Sequence, residues 1–391
     1  MKTDINPKKP IQRVCSGYNV ELFRRITAIA GFEIRLFIGE DIPNSKVCGA
    51  AKPGGIDVVK LPTCFVRLGR RVLPWHRGLI RSLGEFKPDV ILCEGESNFL
   101  GYAQAIWYRR RHKNTRLIHW SLGGLPGVPV RPGNLASRFK YFAQKHFDTF
   151  LAYSSFGKDC LVELGHAAEK IVVATNVADT DVHLNNADRI KDSPSEARAK
   201  LNVPDRFTIL YVGSMDANKR LELFLDLAQA TNPAHFNFVL LGDGTMLEEL
   251  RSRAKTEGLS NVFLPGRVSD ELPLYYRASD VLALPGRGGM VISEAMAWAL
   301  PVVVHQADGT EYDLILDGKT GMRLAGNEVA DFKNAIEVLR SDKARCCAMG
   351  LAGRERLISE YSIEQMVERI AVAVRKCHSD RQGLPVSGHI S

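Results

Sequence analysis

Residues 282–304 read LALPGRGGMVISEAMAWALPVVV, and the fold turns on them. Val281, Leu282, Ala283 and Leu284 make a short apolar run of the kind that forms a strand buried on both faces. Pro285 and Gly286 stop the run, and Gly288 and Gly289 keep the next turn free of side chains. Residues 291–299 then carry a helical pattern that Pro301 ends, and Val302, Val303 and Val304 make a second buried strand. Strand, glycine-rich turn, helix and strand is the repeating unit of a parallel sheet. The turn puts backbone N–H groups at a helix N-terminus, an arrangement that suits a phosphate. Glu294 lies in the first turns of that helix, where a carboxylate can accept hydrogen bonds from sugar hydroxyls. Its plainer role is to complement the helix dipole.

The same alternation runs outward in both directions. Before residue 180, strand patterns at 11–15, 33–39, 58–61, 88–93, 116–120, 150–153 and 170–174 alternate with helix patterns at 18–29, 101–111, 135–146 and 156–164. After residue 200, strands at 207–212, 237–241, 262–264, 281–284 and 302–304 alternate with helices at 221–230, 246–257, 272–278 and 291–299. Further helices follow at 329–339, 343–360 and 362–376. Such a pattern predicts an α/β chain with parallel sheets covered by helices on both faces. Residues 176–196 are polar and aperiodic, and read as a linker. The expected organisation is a Rossmann-like domain over 1–180, a linker over 181–200, and a second Rossmann-like domain over 201–361. A C-terminal helix over 362–377 and a disordered tail over 378–391 complete it. At 391 residues the chain is too long for one typical core, which agrees with two domains. Ligands of open α/β sheets bind beyond the carboxyl ends of the strands, so the site is expected in a cleft between the two domains.

Composition narrows the function. With 45% hydrophobic and 25% charged residues, and no apolar run of membrane-spanning length, the chain is expected to be globular. The opening MKTDINPKKPIQRV has no apolar core, so no signal peptide is expected and the cytoplasm is the expected compartment. Eight scattered cysteines, without CxxC pairs or metal-ligand spacings, point to reduced thiols and no metal site. Residues 1–180 hold 27 Lys and Arg against 15 Asp and Glu, a balance of +12, whereas the remainder balances at −4. The first half therefore suits an anionic partner: an acidic membrane surface, a pyrophosphate-bearing substrate or nucleic acid.

Three loops of the second half carry the donor chemistry. After strand 207–212 come Gly213 and Ser214, then Lys219, placed to clamp a phosphate unless it is simply a solvated lysine. After strand 262–264 come Gly266, Arg267 and Val268, whose backbone can meet the edge of a base. The third loop is the glycine-rich turn with Arg287, Gly288, Gly289, Met290 and, further on, Glu294.

In this order and spacing the second half closely resembles the donor-binding domain of the glycosyltransferase family 4 enzymes, retaining transferases with the GT-B fold of two Rossmann-like domains. The matching segments are YVGSMDANK, VLLGDGTMLEEL, NVFLPGRV, LYYRASDVLALPG, GGMVISEAMAWALPVVV and DGKTGMRL. The first half resembles the family more loosely, through DVILCEGE, AYSSFGKDCLVELG and KIVVATNVADTD. The resemblance implies that Gly288, Gly289, Met290 and Lys219 bind the donor diphosphate, that Glu294 holds the ribose, and that the loop at Gly266, Arg267 and Val268 faces the base. Two family residues are missing. Gly286 stands where the family has the first of two glutamates, the one that contacts the donor sugar, and Ser214 stands where it often has an arginine. Lys219 and Arg287 are then left to supply the positive charge. The family often carries a histidine after an N-terminal strand; here His119 falls within the strand and Leu122 takes the family position, so His119 is either a catalytic candidate or a core residue.

The resemblance places the acceptor on the N-terminal domain. Ser16, Gly17 and Tyr18 in the first loop, and Glu94 and Glu96 after another strand, are the candidates for acceptor hydroxyls. Residues 65–81, FVRLGRRVLPWHRGLIR, mix arginine with apolar residues, which suits either a membrane interface or an ordinary surface helix and loop. The expected activity is transfer of a sugar from a nucleotide-sugar to a glycan or a lipid-pyrophosphate-linked glycan, in cell-surface polysaccharide or lipopolysaccharide synthesis. Peripheral contact with the inner face of an anionic plasma membrane is part of that expectation, and no cofactor or metal is. The alternatives are a sugar-nucleotide epimerase of the same fold and a non-catalytic nucleotide-sugar-binding protein. Nucleic-acid binding rests on charge alone and leaves the glycine-rich turn unexplained.

Overall fold

The computed structural model describes residues 10–11, 17–40, 55–68, 71–94, 99–130, 135–326 and 328–379. The chain divides into two compact units, one made of Met1–Gly124, Val128–Thr175 and Glu364–Ser391, the other of Leu125–Gly127 and Asn176–Ile363.

The first unit holds strands β1 (Pro10–Ile11), β2 (Arg35–Ile38), β3 (Asp57–Lys60), β4 (Thr63–Leu68), β5 (Arg71–His76), β6 (Val90–Glu94), β7 (Arg116–Ser121), β8 (Thr149–Ala152) and β9 (Ile171–Val173). Seven of them form a parallel sheet in the order β3-β2-β1-β6-β7-β8-β9. Consecutive residues along the middle strands, such as Ile91 and Leu92, Leu117 and Ile118, and Phe150 and Leu151, are all buried. Burial without alternation is what helices on both faces require.

The stretch 65–81 is not the surface helix and loop that is one of its two readings. β4 and β5 pair antiparallel as a hairpin, and the helix Leu79–Phe86 follows. Cys64 lies opposite Trp75 and Val66 opposite Leu73, so the two-residue period puts all four on one face. Val66 and Trp75 are exposed there. At the other side the buried His76 ties the hairpin down: its backbone N–H donates to Gln104 Oε1 and its carbonyl accepts from Gln104 Nε2. The helix Ile363–Ser379, expected as a separate C-terminal helix over 362–377, belongs from Glu364 onward to the first unit. It buries Met366, Val367, Ile370, Ala371 and Cys377, and Arg25 pairs with Glu364.

The second unit holds β10 (Phe207–Val212), β11 (Phe236–Leu241), β12 (Val262–Gly266), β13 (Val281–Leu284), β14 (Val302–Val304) and β15 (Gly321–Arg323) in a parallel sheet ordered β12-β11-β10-β13-β14-β15. The chain runs from β10 to β12 in one direction, then resumes with β13 on the other side of β10. Beyond the carboxyl ends of β10 and β13 is therefore the crevice where open α/β sheets take ligands.

The segment expected as a linker is helical over Thr180–Arg189 and Pro194–Lys200. Two of its polar residues, Ser193 and Glu196, cap the second of these helices. Ser193 Oγ accepts the Glu196 N–H while the Glu196 carboxylate accepts the Ser193 N–H, and Pro194 opens the helix. The tail expected to be disordered is helical as far as Ser379, and residues 380–391 lie outside the described residues. Among the described residues no helix is long and apolar enough to cross a membrane.

Candidate active site

Backbone hydrogen bonds lace together the loops at the carboxyl edge of the second sheet. Gly213 N–H donates to Leu241 O at 3.0 Å, Gly242 N–H to Gly266 O at 2.9 Å, and Met215 N–H to Asp243 O at 2.9 Å. The loops carrying Gly213, Ser214 and Gly266 are thus held in one rigid edge. Ser214 and Arg267 are exposed at it and Val268 is half-buried.

Across the strand-order reversal, the loop after β10 meets the glycine-rich turn after β13. Arg287 N–H donates to Asn218 O at 3.2 Å, and Lys219 Nζ donates to the Arg287 carbonyl at 2.5 Å. The Arg287 side chain is exposed. Gly286 makes the approach possible: a Cβ on it would lie 2.6 Å from Asn218 O and 2.7 Å from Lys219 O. A side chain does not fit there, so this turn has no room for the glutamate that the family resemblance leads one to look for. Burial draws the Lys219 ammonium below its ordinary pKa, and the carboxylates of Asp308 and Asp216 act against that shift. Gly289 caps the helix Met290–Ala297 with no side chain of its own, leaving the first N–H groups of the helix facing the turn.

Glu294 is on the same helix, partly buried. It accepts a 2.5 Å hydrogen bond from the Tyr276 hydroxyl at Oε2, and His183 Nε2 lies 3.9 Å from that oxygen. Tyr276 stacks on Trp298, whose Nε1 donates to His183 Nδ1. Burial and the neighbouring Glu294 raise the Tyr276 phenol well above its ordinary value, so it stays a donor to the carboxylate. Glu294 is therefore oriented by a buried aromatic bracket. The sequence reading missed this bracket, because Tyr276 reads as one more apolar position of a helix.

It also missed Asp308, in the loop after β14, at the same carboxyl edge. A Cβ on Gly289 would lie 2.0 Å from Asp308 Oδ2 and 2.4 Å from Oδ1. The carboxylate is held by Thr310, whose Oγ1 donates to Oδ1 at 2.6 Å and whose N–H donates at 3.2 Å. Beneath it, the buried Glu311 accepts the N–H groups of Ala307 and Gly309. The only signal in the sequence was position: an acid four residues past a buried strand in a parallel sheet.

In the first unit the candidates separate. Gly17 and Tyr18 open the helix Gly17–Thr27 after β1, and Glu94 ends the adjacent β6, so these positions share the carboxyl edge of that sheet. Ser16 and Glu96 lie outside the described residues. Leu122 follows β7. His119 is fully buried within β7, edge-on to Tyr102, Phe147 and Phe150, and neither ring nitrogen has a hydrogen-bond partner. The structure thus makes it a core residue. Burial, with a smaller contribution from His166, lowers its pKa to about 3. The unfolded chain takes up this proton near pH 6.5 and the folded chain does not, so the stability His119 contributes is complete above pH 6.5 and drains away toward pH 3. Each pH unit in that window should remove about 1.4 kcal/mol. His119→Phe should flatten this limb in denaturant titrations at stepped pH; an unchanged slope would show that the ring does not stay neutral.

Two family profiles match the chain: Glycosyltransferase Family 4 over residues 18–182 and Glycosyl transferases group 1 over residues 206–342. Together they cover most of both units, and the chain belongs to the group 1/family 4 glycosyltransferases, of GT-B fold. Among curated relatives, a GDP-mannose-dependent alpha-(1-6)-phosphatidylinositol monomannoside mannosyltransferase of Mycolicibacterium smegmatis is 33% identical over 144 residues, 34% of this chain and 37% of the relative. The sulfoquinovosyl transferase SQD2 of Arabidopsis thaliana is 27% identical over 292 residues, 71% of this chain and 54% of the relative. The alignments thus span roughly a third to a half of these relatives. Among solved structures, Anabaena HepE in complex with UDP is similar over 95% of this chain and 100% of its own, with a TM-score of 0.74 at 17% identity. Sucrose-phosphate synthase of Thermosynechococcus elongatus covers 96% and 100%, with a TM-score of 0.71 at 20% identity. At these identities the likeness is one of fold.

Proposed function

We propose that this protein is a retaining glycosyltransferase that moves a sugar from a nucleotide-sugar to a glycan or lipid-linked glycan, in the synthesis of cell-surface polysaccharide or glycolipid. One observation carries the reading: Lys219 and the side-chain-free turn at Gly288 and Gly289 meet at the strand-order reversal, in front of a helix N-terminus. That is a site for a diphosphate. Glu294 would take the ribose, and the edge at Gly266, Arg267 and Val268 the base. The relatives' names, which include mannosyl and sulfoquinovosyl transferases, support the transferase class.

In the reaction, the bond between the anomeric carbon and the diphosphate oxygen breaks as an acceptor hydroxyl attacks from the same face. The hydroxyl proton passes to the leaving phosphate oxygen. Lys219, the turn's N–H groups and the helix dipole stabilise the charge that grows on the diphosphate. No metal is invoked, and Gly17, Tyr18 and Glu94 are assigned to the acceptor side.

A thermal-shift screen against UDP-, GDP-, ADP- and dTDP-sugars tests this. One nucleotide series at a hundred times its dissociation constant should stabilise the chain by about 2.7 kcal/mol. NMR of the product formed with a glycan acceptor should show the donor's anomeric configuration kept. Inversion, or no stabilisation by any series, would remove the reading.

A lipid-linked acceptor implies work at the cytoplasmic face of a membrane. The exposed Val66 and Trp75 on one hairpin face, with Arg67, Arg70 and Arg71 in the intervening sequence, support peripheral contact with anionic lipid. Trp75→Ser should reduce cosedimentation with phosphatidylglycerol vesicles severalfold and leave neutral vesicles unaffected; equal binding by both proteins would exclude the hairpin.

A further inference from the structure

We infer that Asp308 is the residue that binds the donor's sugar and sets which sugar is accepted; the inference rests on the glycosyltransferase reading above. The proposed diphosphate site has a cation, Lys219, and a helix N-terminus, both suited to an anion. Asp308 Oδ2 nevertheless lies against Gly289, in the same turn. A carboxylate so placed repels phosphate oxygens, so phosphate is not what it recognises. It is a strong acceptor for hydroxyl groups, and the polyhydroxyl group that must sit beside a bound sugar diphosphate is the sugar.

The carboxylate is also built to stay where it is. Thr310 donates both its N–H and its hydroxyl to Oδ1, which leaves Oδ2 as the oxygen nearest Gly289. Glu311 is fully buried and pins the loop from below through Ala307 and Gly309. Burial raises the Glu311 pKa, and those two N–H donors oppose the rise. The turn has no rival acid. Gly286 carries no side chain, and the backbone of Asn218 and Lys219 fills the space one would need. Gly289 is the complementary requirement: any side chain there would displace the Asp308 carboxylate. The carboxylate comes from the neighbouring strand's loop because the turn itself cannot provide one.

The test separates sugar from diphosphate. Calorimetry compares UDP with UDP-glucose and GDP with GDP-mannose, on the wild type and on Asp308→Ala and Asp308→Asn. For whichever pair the wild type binds, Asp308→Ala should weaken the nucleotide-sugar by about tenfold or more, the loss expected for a hydrogen bond to a charged group. The same variant should bind the free nucleoside diphosphate as tightly as the wild type or more tightly, since a repelling charge has gone; that binding also shows the site to be folded. Asp308→Asn, which keeps an acceptor without the charge, should fall between. Equal tightening of both ligands would make Asp308 a mere occupant of the anion site, and equal weakening would make it a structural support; either overturns the inference while the donor site stands. A wild type that binds neither pair overturns the donor-site reading and this inference with it.

Discussion

Replacing Lys219 by methionine is expected to lower kcat/KM for sugar transfer by about 10²–10³-fold, the loss seen when one preorganised donor to developing negative charge is removed. Two features make the effect large. The ammonium is partly buried and already held against the Arg287 carbonyl, so little reorganisation is needed when the diphosphate leaves. Its acidic neighbours, Asp308 and Asp216, keep it protonated against the burial that draws its pKa down. The pH profile should therefore lose activity on the alkaline side earlier than an ordinary lysine would dictate, and Lys219→Met should abolish that limb. Methionine keeps the stem and removes the charge, so the fold should survive. Arginine should rescue only partly, because its planar fork cannot stand in for a compact ammonium. If steady-state kinetics of the methionine variant matched the wild type, Lys219 would be a tether between two loops and nothing more.

The largest expected effect on stability lies at Arg198. Its side chain is only 10% exposed and reaches Asp280 at 3.0 Å, Asp205 at 2.9 Å and the Ala278 carbonyl at 2.8 Å. Asp280 also accepts the Thr208 N–H at 2.7 Å, so the pair joins the helix Pro194–Lys200 to the starts of β10 and β13. Burial raises the Asp280 pKa, and Arg198 works against it. Arg198→Met leaves that carboxylate partly buried without its partner, which should cost about 3–5 kcal/mol. Denaturant titration should show the second unit unfolding earlier. The double variant Arg198→Met with Asp280→Leu should recover much of the loss, because replacing both members of a buried pair costs far less than orphaning one. A single variant as stable as the wild type would mean that water reaches Asp280 freely.

How well the fold could be read from the sequence depended on how each element earns its burial. In the second unit β13 and β14 are continuous apolar runs and β10 is broken only by Thr208, and the reading placed their bounds where they fall. β15 escaped because Gly321–Arg323 has no apolar run; it takes its place by adding to β14. The hairpin of β4 and β5 escaped because arginine and glycine interrupt its alternation. The helix Pro194–Lys200 escaped because its capping residues, Ser193 and Glu196, look like loop residues until they are seen paired. At the candidate site, the glycine-rich turn, Lys219 and Glu294 were legible as local pattern. Asp308 and the Tyr276 bracket were not, since each meets the site across the sheet from another strand or helix. His119 shows the opposite error, a residue of suggestive type with no chemistry to reach.

The return of the chain to its first unit bears on how the protein is made. Synthesis runs from the N-terminus at about 5–20 residues per second, and domains fold as they emerge. The second unit is nearly contiguous, and all of it precedes Glu364. The first unit begins earlier but waits for its final helix, in which Cys377 and Ile370 are buried and Lys376 reaches the Glu169 carbonyl. On the ribosome, the half that starts first therefore finishes last.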